Sequence, residues 1–558
     1  MSGSTNDGNA TFSEKVALSF FDAIVPLLIA TAAFFSVACT LDVADELSFS
    51  ADGPGLSLDE GFNIETGVLL ISQFEQYGLA ALDPESLQEI YSHPAYNPDH
   101  PPLGRVAMGI TNRLGLALDS RLAPDCGYRV GYARLSSAIA FALMTLLVGV
   151  YAQHWHGRVA GITSAISFAL LPRVFGHAHL ASLETWTTLT WAAVLLWVAD
   201  DWSERTKLKW YRGIIPGIFL GLALLTKMQA IFLPPILGLW AFAHWRFRSL
   251  IPLAVTYVVG FAVFFVGWPW LWIDPAEHLK EYFARSADRS VLYCYYFGEK
   301  LVDKEVPWHY PFVMMLVTTP LTYTLAALFG SFAKEHEQAR PWAFSRRGQL
   351  IFAGFFLPLV FFAVPGIANY DGIRLFLIVT PQLAIMVGYG FAQLIEAAGT
   401  RNLVAAWIAS AIALLFPIYS LISYHPCQLS YYATALGGVA QADHVGLETG
   451  YWGSAVTPQL IQNICEEMPA DSTLEVAPVL HPLQLEFLRR GTQFRDRPDL
   501  QLKAYDDQRE DLSPYVLVIR RKADQWTSLT PPPPGTEVLH QVTRQGVVLA
   551  EFLKLPTK

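Results

Sequence analysis

Hydrophobic residues gather along the chain into eleven long runs, near 16–40, 133–152, 159–175, 185–200, 213–226, 229–245, 250–272, 310–332, 349–366, 374–395 and 403–423. Each predicts a helix that enters a bilayer, although several fall short of the roughly 20 residues of a straight span. The stretch 103–118 differs, because Arg105, Asn112 and Arg113 interrupt it and give it the character of an interfacial amphipathic helix. The first run is expected to be retained: it is too long for the apolar part of a signal peptide, and no small-residue cleavage pattern ends it.

Composition supports this reading. Of 558 residues 53% are hydrophobic and 15% charged, against about 25% charged in soluble proteins. With a mean hydropathy of +0.33, this implies a polytopic α-helical membrane protein. A net charge of -10 gives nucleic acid no counterion-replacing surface. The five cysteines make no disulfide framework and show no metal-type spacing; Cys427 and Cys465 could pair in an exported tail, and two free thiols is the favoured expectation.

Basic residues orient the spans, since loops on the cytoplasmic side retain Lys and Arg. An inside N-terminus gathers Arg158, then Arg205, Lys207, Lys209 and Arg212, then Arg246 and Arg248, then Lys334, Arg340, Arg346 and Arg347, then Arg401 on the inner face. Residues 41–130 then form the first external loop, whose part 41–105 holds twelve acidic residues and one basic residue, Arg105. Residues 1–424 make the membrane domain and 425–558 a small exported α/β domain. In that tail 12 basic and 16 acidic residues restore a soluble balance. Thr457-Pro458 predicts the start of a helix to about 468; 472–480, 515–521 and 545–554 read as strands. Pro531 to Pro534 read as a stiff spacer between strands.

Ionisable residues at span ends are the first functional candidates, because holding them near lipid is costly. In this orientation they collect outside: Asp59-Glu60, Asp99-His100-Pro101-Pro102, His177, His179, Glu184, Lys227, the 273–309 loop, and Tyr370-Asp371-Gly372-Ile373-Arg374.

Those elements, in that order, resemble the glycosyltransferase C superfamily, in the branch of protein O-mannosyltransferases and lipid A aminoarabinose transferases. The resemblance covers about 16 to 425. Leu58-Asp59-Glu60-Gly61-Phe62 stands where the family has its acidic pair, and His100-Pro101-Pro102-Leu103 matches its His-Pro-Pro-Leu element. Glu184 in His179-Leu180-Ala181-Ser182-Leu183-Glu184 is similar to a second acidic position, where the family more often has Asp. Thr226-Lys227 before Pro234-Pro235, Pro307-Trp308-His309-Tyr310-Pro311 before Thr318-Thr319-Pro320, and Arg374-Leu375-Phe376 before Pro381 resemble further family elements.

The resemblance implies transfer of a hexosyl or pentosyl group from a polyprenyl-phosphate donor to an external protein or glycolipid acceptor, with inversion. The expected setting is the bacterial inner membrane, with the site and tail facing the periplasm. Asp59 is the expected base, with Glu60 and Glu184 as further catalytic acids; Lys227 and Arg374, with Arg105 behind them, are expected on the donor phosphate, where fixed cations stabilise a leaving group gaining charge. His100, His179 and Tyr370 are expected to position substrate. A divalent metal on Asp59, His100 and Glu184 is a further expectation, since imidazole and carboxylate suit several metals. Trp268, Trp270 and Trp272 are expected in an interfacial aromatic belt. The competing class is a secondary transporter of a polar or lipid-linked solute, which would show repeated halves and interrupted helices; no such repeat is present.

Overall fold

A computed structural model of the chain describes residues 20–119, 128–287, 291–333, 341–399 and 402–556. The inner-loop residues Lys334, Arg340 and Arg401 lie outside these. All eleven hydrophobic runs contain helix. Among the described residues four helices are long and apolar enough to cross a membrane, or five with the pair Tyr310–Thr318 and Leu321–Phe332, which bends by 111°. The chain is thus an integral membrane protein.

Two of the four are helical hairpins. Val130–Ala169 breaks at Gly157, where φ is 85°. A Cβ on Gly149 would lie 3.0 Å from that of Ala165, whereas one straight helix would part them by about 24 Å. The chain therefore doubles back, as the separate runs 133–152 and 159–175 predict. Likewise the Tyr257 hydroxyl donates to the Pro234 carbonyl at 2.7 Å, so Met228–Val266 folds back at Arg246, whose φ is 53°.

Between the first two hydrophobic runs lie the helices Leu58–Tyr77, Pro84–Tyr91 and Leu103–Leu118. The first and third cross near Gly67 and Gly109: a Cβ on Gly67 would stand 2.1 Å from the Arg105 carbonyl oxygen, and one on Gly109 would stand 2.3 Å from the Gly67 carbonyl oxygen. The run 103–118 is thus a packed helix beside a partner. Trp268 and Trp270 do not form a lipid-facing belt; both are buried in a cluster with Tyr96 and Tyr282, and Trp268 Nε1 donates to the Tyr96 hydroxyl at 2.9 Å.

A hairpin of β1 (Tyr293–Tyr296) and β2 (Glu299–Val302) stands in the 273–309 loop. The tail holds a five-stranded sheet of β3 (Thr473–Ala477), β4 (Gln501–Ala504), β5 (Tyr515–Ile519), β6 (Glu537–Arg544) and β7 (Val547–Lys554), in the order β4-β3-β5-β7-β6. β3 runs parallel to β4 and β5, and the β5–β7 and β6–β7 pairs are antiparallel. The predicted helix is Pro458–Glu467, capped by Thr457, whose hydroxyl accepts from the Leu460 amide at 3.3 Å. Cys427 and Cys465 are free thiols.

The tail packs on the segment between the first two hydrophobic runs. Phe487 occupies the space a Cβ on Gly61 would need, the Gly55 amide donates to the Ser454 carbonyl at 2.8 Å, and Arg495 pairs with Glu46 at 2.8 Å.

Candidate active site

Four charged residues stand at the starts of helical segments that converge. Asp59 and Glu184 are each the second residue of a helix, Leu58–Tyr77 and Leu183–Asp201, where the exposed amides and dipole favour a carboxylate. Lys227 precedes the turn Met228–Phe232, and Arg374 opens the turn Arg374–Val379 that leads into the helix Thr380–Ala397.

Arg374 ties the group together. Its Nε donates to Glu184 Oε1 at 2.9 Å, Nη1 to Asp371 Oδ2 at 3.0 Å, and Nη2 to Asp59 Oδ2. Lys227 Nζ shares Glu184 Oε1 at 2.6 Å. Glu184, Arg374 and Lys227 are at most 10% exposed, whereas the Asp59 side chain is 34% exposed. Among these groups Asp59 is the one a substrate can reach. Trp452 stacks 3.8 Å from the Arg374 guanidinium and Tyr370 lies 5.7 Å from it, a favourable arrangement for a cation over aromatic faces.

Other expected site residues go elsewhere. Glu60 is fully buried and bonded to Arg134 at 2.7 and 2.9 Å, with the Ser57 and Ala181 amides donating to it. It fastens the loop to the helix Val130–Ala169 and has no route to an acceptor. Arg105 is also buried, spent on Asp99 at 2.5 Å, on Asn63 at 3.1 Å and on the Asn97 and His100 carbonyls. It braces the turn that presents His100 and does not stand behind Arg374. His179 bonds Thr40 at 2.9 Å and the Phe175 carbonyl at 2.8 Å, joining the first helix instead of the cluster. His100 stays beside the site, its buried Nδ1 without a partner.

Among the described residues no three His, Cys, Asp or Glu side chains form a group able to hold a metal ion. Asp59 and Glu184 of the expected metal set are turned onto Arg374 instead.

Trp452 and Arg173 lay outside the expectations, and Asp371 was a candidate with no assigned role. Asp371 bonds Arg374 and also Arg521 of the tail at 3.1 Å. Trp452, also from the tail, covers Arg374. Arg173, in Leu171-Pro172-Arg173, stands inside the apolar run 159–175, where a charged side chain is costly; that signal could have marked it.

Residues 127–272 match the dolichyl-phosphate-mannose-protein mannosyltransferase family. Over that region the match agrees with the resemblance carried by the motifs. No curated protein matches the chain. Among solved structures, ArnT from Cupriavidus metallidurans in the apo state is 13% identical with a TM-score of 0.49, over 95% of this chain and 97% of that one. ArnT bound to undecaprenyl phosphate gives 13% and 0.49 over 96% and 98%. The oligosaccharyltransferase AglB from Archaeoglobus fulgidus, in complex with an inhibitory peptide and a dolichol-phosphate, gives 12% and 0.45 over 91% and 70%. At these values the reading of the site rests on the chain's own residues.

Proposed function

We propose that the protein is a membrane glycosyltransferase that moves a hexosyl or pentosyl group from a polyprenyl-phosphate donor to a protein or glycolipid acceptor, with inversion. The observation that carries this is one carboxylate, Asp59, partly open to solvent and held against the buried cation Arg374, which shares Glu184 with the buried cation Lys227. The family match over 127–272 supports the donor class.

In this reading the donor phosphate meets Arg374 and Lys227. Asp59 takes the proton of the acceptor group as its oxygen or nitrogen bonds the anomeric carbon. The bond from that carbon to the phosphate oxygen breaks on the opposite face, and the electron pair leaves with the polyprenyl phosphate. The added negative charge falls on cations already fixed in place, so little reorganisation is needed. Glu184 holds both cations and is a positioning residue, and Asp371 holds Arg374 from the other side. The expected setting is the inner membrane of a bacterium with the site outside, where such lipids carry sugars.

The direct test is incubation of the purified protein with polyprenyl phosphate carrying a radiolabelled sugar, followed by assay for transfer or release. No turnover of any such donor, with lipid-loaded protein shown to be folded, would remove the assignment.

A further inference from the structure

Beside the ion cluster is a small pocket lined by Arg173, His177, Asp371, Arg374, Tyr451 and Trp452. Its free volume, about 10 Å³, is that of a single water, so what enters is a substituent and not a ring.

Two groups in it are unanswered. Arg173 is 3% exposed; its Nε donates to the Tyr431 carbonyl at 3.0 Å, and its guanidinium lies 4.8 and 5.0 Å from the rings of Tyr432 and Tyr451. Its Nη2 is buried with no hydrogen-bond partner. His177 is 4% exposed, and its Nδ1 is likewise buried and unpartnered. Burial, with smaller pushes from Arg374 and Arg173 against the pull of Glu184, takes its pKa down to about 4. The ring is therefore neutral, and with its proton on Nε2 it offers an acceptor at Nδ1.

The backbone is shaped around Arg173. Gly372 has a φ of 64°, and a Cβ there would stand 2.1 Å from Arg173 Nη1. Glycine at 372 thus lets the guanidinium press against the turn that carries Asp371 and Arg374. Trp452, which closes the pocket, has a φ of 55°, an uncommon and costly conformation for a bulky residue. Its ring meets His177 edge-on at 5.5 Å.

We propose that Arg173 and His177 form a recognition subsite for one hydroxyl group of the donor sugar. The proposal rests on the function argued above, which puts the donor phosphate on Arg374 and so the sugar, one oxygen away, next to this pocket. A hydroxyl both accepts and donates, so a single one answers Arg173 Nη2 and His177 Nδ1. Left alone, each buried group carries a desolvation cost that a bound hydroxyl removes. Arg173 and His177 are specificity residues and touch neither the anomeric carbon nor the phosphate.

The test compares binding of sugar-free polyprenyl phosphate, polyprenyl-phosphate hexose and polyprenyl-phosphate hexuronic acid to the full-length protein in detergent. Wild type should bind the hexose lipid about tenfold more tightly than the sugar-free lipid. Arg173→Gln and His177→Leu should each lose most of that gain and keep the affinity for sugar-free lipid. His177→Leu carries the test if Arg173→Gln fails to fold, since Arg173 also holds the tail. A gain that survives both changes, or an equal loss for both lipids, overturns the subsite. A hexuronic acid lipid favoured over the hexose lipid, with that preference lost in Arg173→Gln, overturns the hydroxyl assignment in favour of a carboxylate. Wild type that binds neither lipid overturns the proposed function itself.

Discussion

Asp59 and Arg374 are each other's partner: the carboxylate expected to act as base lies on the guanidinium expected to hold phosphate. A phosphate arriving at Arg374 competes with Asp59, the most exposed of the acids around that guanidinium. Its displacement would free the carboxylate to take the acceptor's proton, so donor should bind before acceptor. Initial-rate kinetics should show that order, and a random order would separate the two events.

Asp59→Asn keeps the side-chain shape but removes the base. Turnover should fall by at least about 100-fold, while affinity for polyprenyl phosphate is unchanged or rises, because its competitor has lost its charge. Normal transfer under saturating donor and acceptor would mean that Asp59 is not the base.

Glu60→Gln should act on stability. Its partner Arg134 is fully buried with it, and breaking such a pair costs about 3–5 kcal/mol. The thermal midpoint in detergent should drop, with turnover of the remaining folded protein largely kept. In the double variant Glu60→Gln with Arg134→Met the loss should be smaller than the sum of the two.

Glu184→Gln removes the anion shared by Lys227 and Arg374. The protein should be less stable and turn over more slowly, and polyprenyl phosphate should raise its thermal midpoint more than that of wild type, because the phosphate replaces the missing charge. Equal shifts in the two proteins would argue that the lipid phosphate binds away from these cations.

Acid should loosen the packing around His177 and His179. Burial holds His177 near a pKa of about 4 and His179 near about 3, against about 6.5 in an unfolded chain. Below pH 6.5 the unfolded state binds more protons, so this stability is complete above 6.5 and is lost as pH falls through the folded values. The thermal midpoint should fall between pH 6.5 and 4, and the slope should flatten in His177→Leu.

Topology is open to labelling. In a chain with its native cysteines replaced, an impermeant thiol reagent added outside should mark Asp507→Cys in the tail and spare Thr206→Cys in the basic loop. The reverse pattern would put the candidate site on the cytoplasmic side.

What was legible follows from what each interaction leaves in the sequence. Long apolar runs are set by the bilayer, so all eleven contain helix, and the Thr457-Pro458 start of Pro458–Glu467 is a local signal. Glu184, Lys227 and Arg374 were legible because charge at a span end is conspicuous, Asp59 was picked out of a loop with eleven other acids by the acidic pair of the family it resembles, and the four meet in space. Glu60 was misread because its partner Arg134 lies 74 residues away, inside an apolar stretch, and adjacency to Asp59 says nothing of burial. β4 and β6 were missed because Gln501-Leu502-Lys503-Ala504 and Glu537–Arg544 are half-exposed edge strands, with little of the apolar content that marks β5 and β7. The composition change near 425 suggested a separate exported body. It gave no hint that Trp452 and Arg521 would complete the site, since contacts across that sequence distance leave no periodic trace.

The Arg134 side chain has a consequence for biosynthesis. It gathers the Leu41, Pro54 and Gly55 carbonyls at 2.9–3.0 Å as well as Glu60, so the loop before it can close only after the start of Val130–Ala169 has been made. The Gly55 amide, however, is answered by Ser454, which leaves the ribosome far later. At roughly 5–20 residues per second the delay is on the order of tens of seconds. For that interval the nascent chain presents a half-closed, acid-rich loop, and the last quarter of the polypeptide acts as the latch that completes it.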